Sequence, residues 1–401
     1  MTIKVEIGFT GAGANPPFFT LDDATKGVLD SPVYVLGGGE GLVDVTAYVR
    51  SANITRGKSR ELDRYDAGQA SVEFNNSTRA FDPTFVAGPF YGQIVPKRRL
   101  RITMDAEVQF DGIIDDWNLD FEPGGFSVAS CQAFDGFSVI TNQELAGYSP
   151  AQQVSGSRVA GVLDNIAWPA DKRNLNAGYS SLAAEVVADG TNALDYLNLI
   201  AASEPGDIFL SKSGQVVFRD RLNSATSTSV LLSDLGDGIY YQGVRVVYGS
   251  ELLYNFITAT NAAGETSVQD DLSIALYGQR DLTYETLLAN EADLIQIANW
   301  LLIKYNEPEL RFESVIVDLN AVTVAQREDL LQLELADAVR VKLTPGNIGP
   351  TIEQFGKIVS LNYSFTPETQ SVEIGLASTG GTFFILDDAE FGRLDSGILA
   401  W

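Results

Sequence analysis

Apolar and polar positions alternate with period two through the last part of the chain. Between Leu310 and Ser378 the runs FESVIVDL, AVRVKL, KIVSLNY and SVEIGL put every second side chain on one face, with Pro, Gly and Asn breaks between them. Such runs predict short, half-buried strands joined by tight turns. About four to six strands in about 70 residues suit one small antiparallel barrel or sandwich.

A second zone of alternation begins at Val43. Strands are expected at 52–56 and 70–75, on either side of a polar insertion from Gly57 to Gly68. More are expected at 98–104, 108–114 and 126–133, with a hairpin break at 122–125. Cys131 alternates with apolar neighbours and reads as a buried small hydrophobe. Between the two zones the period changes. Val159, Val162, Leu163 and Ile166 mark one helix face, and Thr191 is placed to cap a second helix bearing Leu194, Leu197 and Ile200. The hairpin DIFLSKSGQVVFRDR follows, turning at Ser213-Gly214. Strand patterns return over 228–280, including SVQDDLSIALYGQRDL. A long helix with Leu287, Leu294, Ala298, Leu301 and Tyr305 then stops short of Pro308.

The pattern predicts a mainly β protein with an α+β insertion. Two β-barrel domains, 43–148 and 309–378, flank an α+β domain at 149–225 and a β-rich domain with a long helix at 226–308. A Gly/Pro-rich N-terminal arm (1–42) and a C-terminal arm (379–401) lie outside them. The glycine cluster at 37–41 leads into a strand pattern, LVDVTAYV, and not into a helix N-terminus. It therefore reads as linker and not as a phosphate cradle.

Composition narrows the chemistry. The 401 residues include no histidine and a single cysteine, Cys131. Cys/His zinc sites, Ser-His-Asp and Cys-His machinery and intramolecular disulfides are excluded by counting. An enzyme would be left with carboxylates or an oxygen-bound metal. The best-placed carboxylates, Asp115 and Asp116, are adjacent on a predicted strand and so point to opposite faces. No catalytic residue, metal or cofactor is expected. Fifty-three acids against 27 bases give a formal net charge of −26, which repels nucleic acid. No apolar run reaches the ~18 residues of a membrane span, and MTIKVEIGFTG lacks a signal-peptide pattern.

Three strings carry a family resemblance. They are RGKSRELDRYDAGQASVEFNN (56–76) with RAFDP (79–83), SIALYGQR before the long helix, and LELADAVRVKL followed by GKIVSLNYSFTPETQSVEIGL. Together they resemble siphophage minor tail proteins, those of actinobacterial phages above all, and the central tail-tip (baseplate) hub family of long-tailed phages. The resemblance implies a structural virion protein at the tail tip. Both barrels would be of the tube type, and a homotrimer would close a pseudo-hexameric ring. Implied partners are the distal-tail ring protein, the tape-measure protein and further tail-tip proteins, with DNA passing through the lumen unbound. The readings held beside it are a distal-tail ring protein, a carboxylate-based wall-glycan hydrolase, and a carbohydrate-binding receptor module. In a ring, the mixed charges of Arg56, Lys58, Arg60, Glu61, Asp63 and Arg64 are candidates for an inter-subunit contact.

The two ends repeat one another. FFTLDDATKGVLDS at 18–31 returns as FFILDDAEFGRLDS at 383–396, with ten of fourteen positions identical. A pair this short and this far apart is not a solenoid array, so each copy reads as a docking peptide. Phe18, Phe19, Leu21 and Leu29 would be the apolar anchors of the first. Phe383, Phe384, Leu386 and Leu394 would be those of the second.

Overall fold

The computed structural model describes residues 2–9, 41–122, 124, 126–223 and 226–378, and the side chains at 226–229 lie outside the description. The docking-peptide residues of both arms, Phe18, Phe19, Leu21, Leu29, Phe383, Phe384, Leu386 and Leu394, also lie outside the described residues.

The first half is built from β1 (Ile3–Phe9), β2 (Gly41–Asp44), β3 (Val49–Gly57), β4 (Gln69–Asn75), β5 (Arg99–Met104), β6 (Glu107–Phe121) and β7 (Ser127–Phe134). β1 corrects the expectation of an arm beginning at residue 1. IKVEIGF alternates, its Val5, Ile7 and Phe9 are fully buried, and the strand pairs with β5 on one side and β2 on the other. A buried apolar face outweighs the Gly/Pro-rich composition that follows it. β3, β4 and β7 bury alternate residues, and Cys131 sits in that core as expected.

The RAFDP string is explained by packing. Asn76 Oδ1 accepts the Phe81 backbone N–H at 2.9 Å, and Asp82 Oδ1 accepts that of Thr84 at 2.8 Å. Arg79 takes a left-handed φ of 57° and holds the Asp82 carboxylate at 2.6 Å. This turn drives Phe81 beneath the sheet. There it stacks on Phe74 at 4.4 Å between ring centroids and meets Phe90 and Tyr48 at 5.3 Å each. Aromatic pairs at such spacings add to the burial of their large areas.

The inserted module follows. It holds α1 (Phe137–Thr141), α2 (Ser155–Asn165), β8 (Arg173–Leu175), α3 (Ala193–Ser203), and the hairpin β9 (Asp207–Leu210) and β10 (Val216–Arg219), turning at Gly214 with φ +80°. Val159, Val162 and Leu163 form the buried face of α2. The cap of α3 is Asn192, one residue beyond Thr191. Its Oδ1 accepts from Leu194 and Asp195, while Thr191 Oγ1 donates to the Ala188 carbonyl.

The rest comprises β11 (Thr226–Ser233), β12 (Gly243–Tyr248), β13 (Phe256–Asn261), β14 (Gly264–Gln269), α4 (Asp271–Tyr277), β15 (Asp281–Glu285), α5 (Glu291–Tyr305), β16 (Leu310–Asp318), α6 (Val324–Gln332), β17 (Asp337–Leu343), β18 (Ile352–Phe365) and β19 (Gln370–Ser378). One helix, α4, replaces an expected strand, and a further helix, α6, lies between two expected strands. In α4 the Asp270 carboxylate accepts from Leu272 and Ser273, and Gly278 ends the helix at φ 78°. In α6 a capping box between Thr323 and Gln326 closes the first turn. α5 buries Leu294, Ile297, Ala298, Leu301 and Tyr305, against β13 and β14. Leu287 precedes it.

Both halves share one 13-stranded sheet. Its path runs β12-β16-β19-β18-β3-β4-β7-β6-β5-β1-β2, with β17 beside β18, and β11 beside β17. The halves join where β18 pairs antiparallel with β3, Ser360 opposite Gly57 through Phe365 opposite Ala52. A smaller sheet, β14-β13-β15, stands apart, as does β8-β10-β9. The protein is mainly β, with large antiparallel sheets.

Candidate functional site

One face of the central strands is buried in the core, so period two sends the alternate residues to the other face. Register aligns those residues into rows running across the strands. One row reads Asp318–Ser371–Ser364–Asn53–Ser71–Gln132–Asp116, one residue from each of β16, β19, β18, β3, β4, β7 and β6. The next reads Ile316–Glu373–Asn362–Thr55–Gln69–Phe134–Ile113. A third, Ser314–Gly375–Ser360–Gly57, is made wholly of small residues. It floors a shallow depression of about 220 Å³ that Arg56, Lys58, Arg245, Glu313 and Asn362 also line.

These rows hold three carboxylates, Asp116, Asp318 and Glu373, and neither lysine nor arginine. Two guanidinium groups at the margins are matched by carboxylates: Arg50 lies 3.4 Å from Glu73, and Arg245 lies 2.5 Å from Glu313. A surface of hydroxyls, amides and scattered carboxylates offers little purchase to a phosphate backbone, whose tight binding needs several Lys or Arg contacts. The sequence shows the alternation; which strands abut, and therefore which residues form a row, is set by the β3–β18 junction.

The mixed-charge insertion 57–68 faces a different way. Arg56 is 3% exposed, and its Nη2 donates to the Leu210 carbonyl and to Glu334 Oε1, both at 2.7 Å. Burial alone would raise the Glu334 carboxyl. The Arg56 charge and backbone donors from Lys212 and Leu335 hold it below its ordinary value. Glu61, also pushed up by burial, is held down by Lys304 and accepts from the Tyr305 hydroxyl at 3.1 Å. Lys58 lies 4.8 Å from the Tyr65 ring centroid, and burial lowers its amine to about 8 against the pull of Asp207. Tyr65 itself packs on Phe209 at 5.7 Å.

This insertion is therefore a clamp within the chain, tying the first half of the sheet to α5 and to the β9–β10 hairpin. Arg56 and Glu61 are engaged there. Arg60 and Arg64 are exposed and make intrachain pairs with Glu251 at 3.1 Å and Asp195 at 3.4 Å, and Asp63 is exposed. Nearby, Lys357 reaches Asp207 at 2.9 Å and Arg219 reaches Asp337 at 3.2 Å. Sequence reading missed Glu334, Asp207 and Lys357, because the contacts that make them matter span more than a hundred residues.

Two strands leave an open edge on the path of the large sheet. Among the described strands β2 pairs only with β1, and β12 only with β16. No helix of the described residues is long and apolar enough to cross a membrane.

No family model matches the sequence, and no curated protein matches it. Solved structures do. The 43 kDa tail protein of prophage MuSo2 from Shewanella oneidensis is 14% identical with a TM-score of 0.61, covering 94% of this chain and 98% of that one. A tail protein from Neisseria meningitidis MC58 is 12% identical with a TM-score of 0.61, covering 95% and 98%. Prophage tail protein gp18 from Listeria monocytogenes EGD-e is 8% identical with a TM-score of 0.51, covering 84% and 92%. Over nearly its whole length, this chain has the fold of prophage tail proteins.

Proposed function

We propose that this chain is a structural tail-tip hub that closes the tail tube, without catalytic activity. Each half of the large sheet supplies one tube-type barrel, and three copies close a pseudo-hexameric ring with the polar rows turned inward. Closure pairs the open edge at β2 of one copy with that at β12 of the next, because unpaired edges are where sheets add strands. In the virion the ring sits below the distal-tail ring protein, contacts the tape-measure protein and further tail-tip proteins, and lets DNA pass.

The observation that carries this reading is the absence of Lys and Arg from two aligned seven-strand rows. A wall that DNA must slide along gains from having no phosphate grip, and a ring needs two edges per copy. The likeness to prophage tail proteins in fold supports the setting, and the sequence strings support the hub position.

Native mass measured on the purified chain and on tail particles tests the assembly. A trimer is expected; a hexamer would move the assignment to the distal-tail ring. Release of host-wall fragments by the purified ring would overturn the non-catalytic reading.

A further inference from the structure

α4 is built inside out. Its buried residue is Ser273, whose Oγ donates to the Asn306 carbonyl and accepts from Asn255 Nδ2 at 3.1 Å. Beside Asp271 in its first turn, the helix exposes large apolar residues: Leu272 is 79% exposed, Leu276 75% and Tyr277 46%. Leu272 and Leu276 are four apart and so share one helix face. Ile303 on α5, three residues before the carbonyl that holds Ser273, is 72% exposed. A helix that anchors itself through a serine and offers leucines outward is arranged to receive something.

We propose that the C-terminal segment 383–396, FFILDDAEFGRLDS, docks on this α4 face of its own chain. Position is the first argument. The described chain ends at Ser378, whose Oγ donates to Glu309 Oε2 at 3.0 Å. Glu309 follows Asn306 by three residues, and Asn306 is bonded to α4 through Ser273 and, by its side chain, through Asp270 at 2.8 Å. The five steps from Ser378 to Phe383 reach about 17 Å when extended, starting from a residue linked to α4 through Glu309 and Asn306.

Chemistry is the second argument. Phe383, Phe384 and Leu386 supply apolar side chains for Leu272, Leu276 and Tyr277, and aromatic anchors bury large areas for few frozen torsions. The segment carries Asp387, Asp388, Glu390 and Asp395 against one Arg393. Arg280, exposed three residues beyond the end of α4, is placed to meet that acidity, and among the described residues its guanidinium donates to the Ser250 carbonyl at 3.0 Å. The proposal does not depend on the ring.

The test compares hydrogen–deuterium exchange over 271–278 in the full chain and in a chain ending at Ser378. The tail should slow exchange there several-fold, and Phe383→Ala with Phe384→Ala should abolish the slowing. A labelled peptide of residues 381–398 should bind the shortened chain saturably, and Leu272→Glu with Leu276→Glu should weaken it at least tenfold. Equal exchange with and without the tail would overturn the proposal. So would peptide binding indifferent to Leu272 and Leu276, or protection of α4 in the tail-less chain that rises with protein concentration, which would make a second copy the occupant.

Discussion

Arg56 shows how much one side chain can join. It leaves a strand of the first half, satisfies the Leu210 carbonyl of the inserted hairpin, and neutralises Glu334 just ahead of β17. Arg56→Ala would strand a buried carboxylate, which typically costs about 3–5 kcal/mol. Urea denaturation should show a loss of that order, and Arg60→Ala, at an exposed pair, should change stability by less than about 1 kcal/mol. Asp135 offers a pH test. It is 6% exposed and accepts the Phe137 N–H at 3.0 Å, and burial pushes its carboxyl up to about 6. The folded state therefore holds a proton that the unfolded state has released between pH ~4 and 6. The stability linked to this group is full below about pH 4 and is lost as the pH rises through 6. The difference is on the order of 3 kcal/mol. Asp135→Asn should flatten that part of the stability–pH curve, measured against the parent chain by thermal melts at pH 4, 5, 6 and 7.

Among elements, the β3–β18 seam matters most, since it makes two half-sheets one. Gly57 ends β3 at φ +107°, and a Cβ there would meet the Val359 carbonyl oxygen at 2.1 Å. Any side chain must either push β18 away or distort β3, and the Lys58 N–H to Val359 bond at 2.9 Å would go with it. Gly57→Val should destabilise by at least about 2 kcal/mol. Proteolysis should then separate the two halves at a denaturant concentration where the parent stays intact. α6 gives a milder case: Thr323→Ala removes a capping box and should cost about 1 kcal/mol, read from the same denaturation midpoints.

For the whole molecule the polar rows make a quantitative statement. Placing Arg at Asn53, Ser71 and Ser364 would put three charges in one row across neighbouring strands. If the proposed ring turns this face inward, the variant should retain DNA with a salt slope steeper by about 2–3 in log–log terms, whereas the parent should show little retention. Retention by the parent equal to that of the variant would remove the reason for assigning this face to a tube wall. Gly243→Pro on β12 should lower the assembled mass to that of a monomer if the edge is used: the Gln242 N–H donates to the Ile316 carbonyl on β16, so the next donor faces the open side, and proline removes it.

The sequence alone determined what is local. Alternation over 310–378 and 43–134 announced strands, the 3.6-residue period announced α2, α3 and α5, and the lack of histidine ruled out His-based catalysis. It also held signals that went unused: IKVEIGF alternates as well as any strand, and T-x-x-Q before α6 is a capping box. In SIALY, Asp270 and Gly278 bracket a helix that apolar content alone disguises as a strand. Only the tertiary structure decided the rest. Whether Arg56 faces a neighbour or the interior depends on Glu334, 278 residues away. Whether Asn53 lies beside Ser364 depends on β3 meeting β18, more than 300 residues on. Periodicity fixes which way a side chain points along its own strand; pairing partners are chosen by the combined burial of both halves, which no short window of sequence contains.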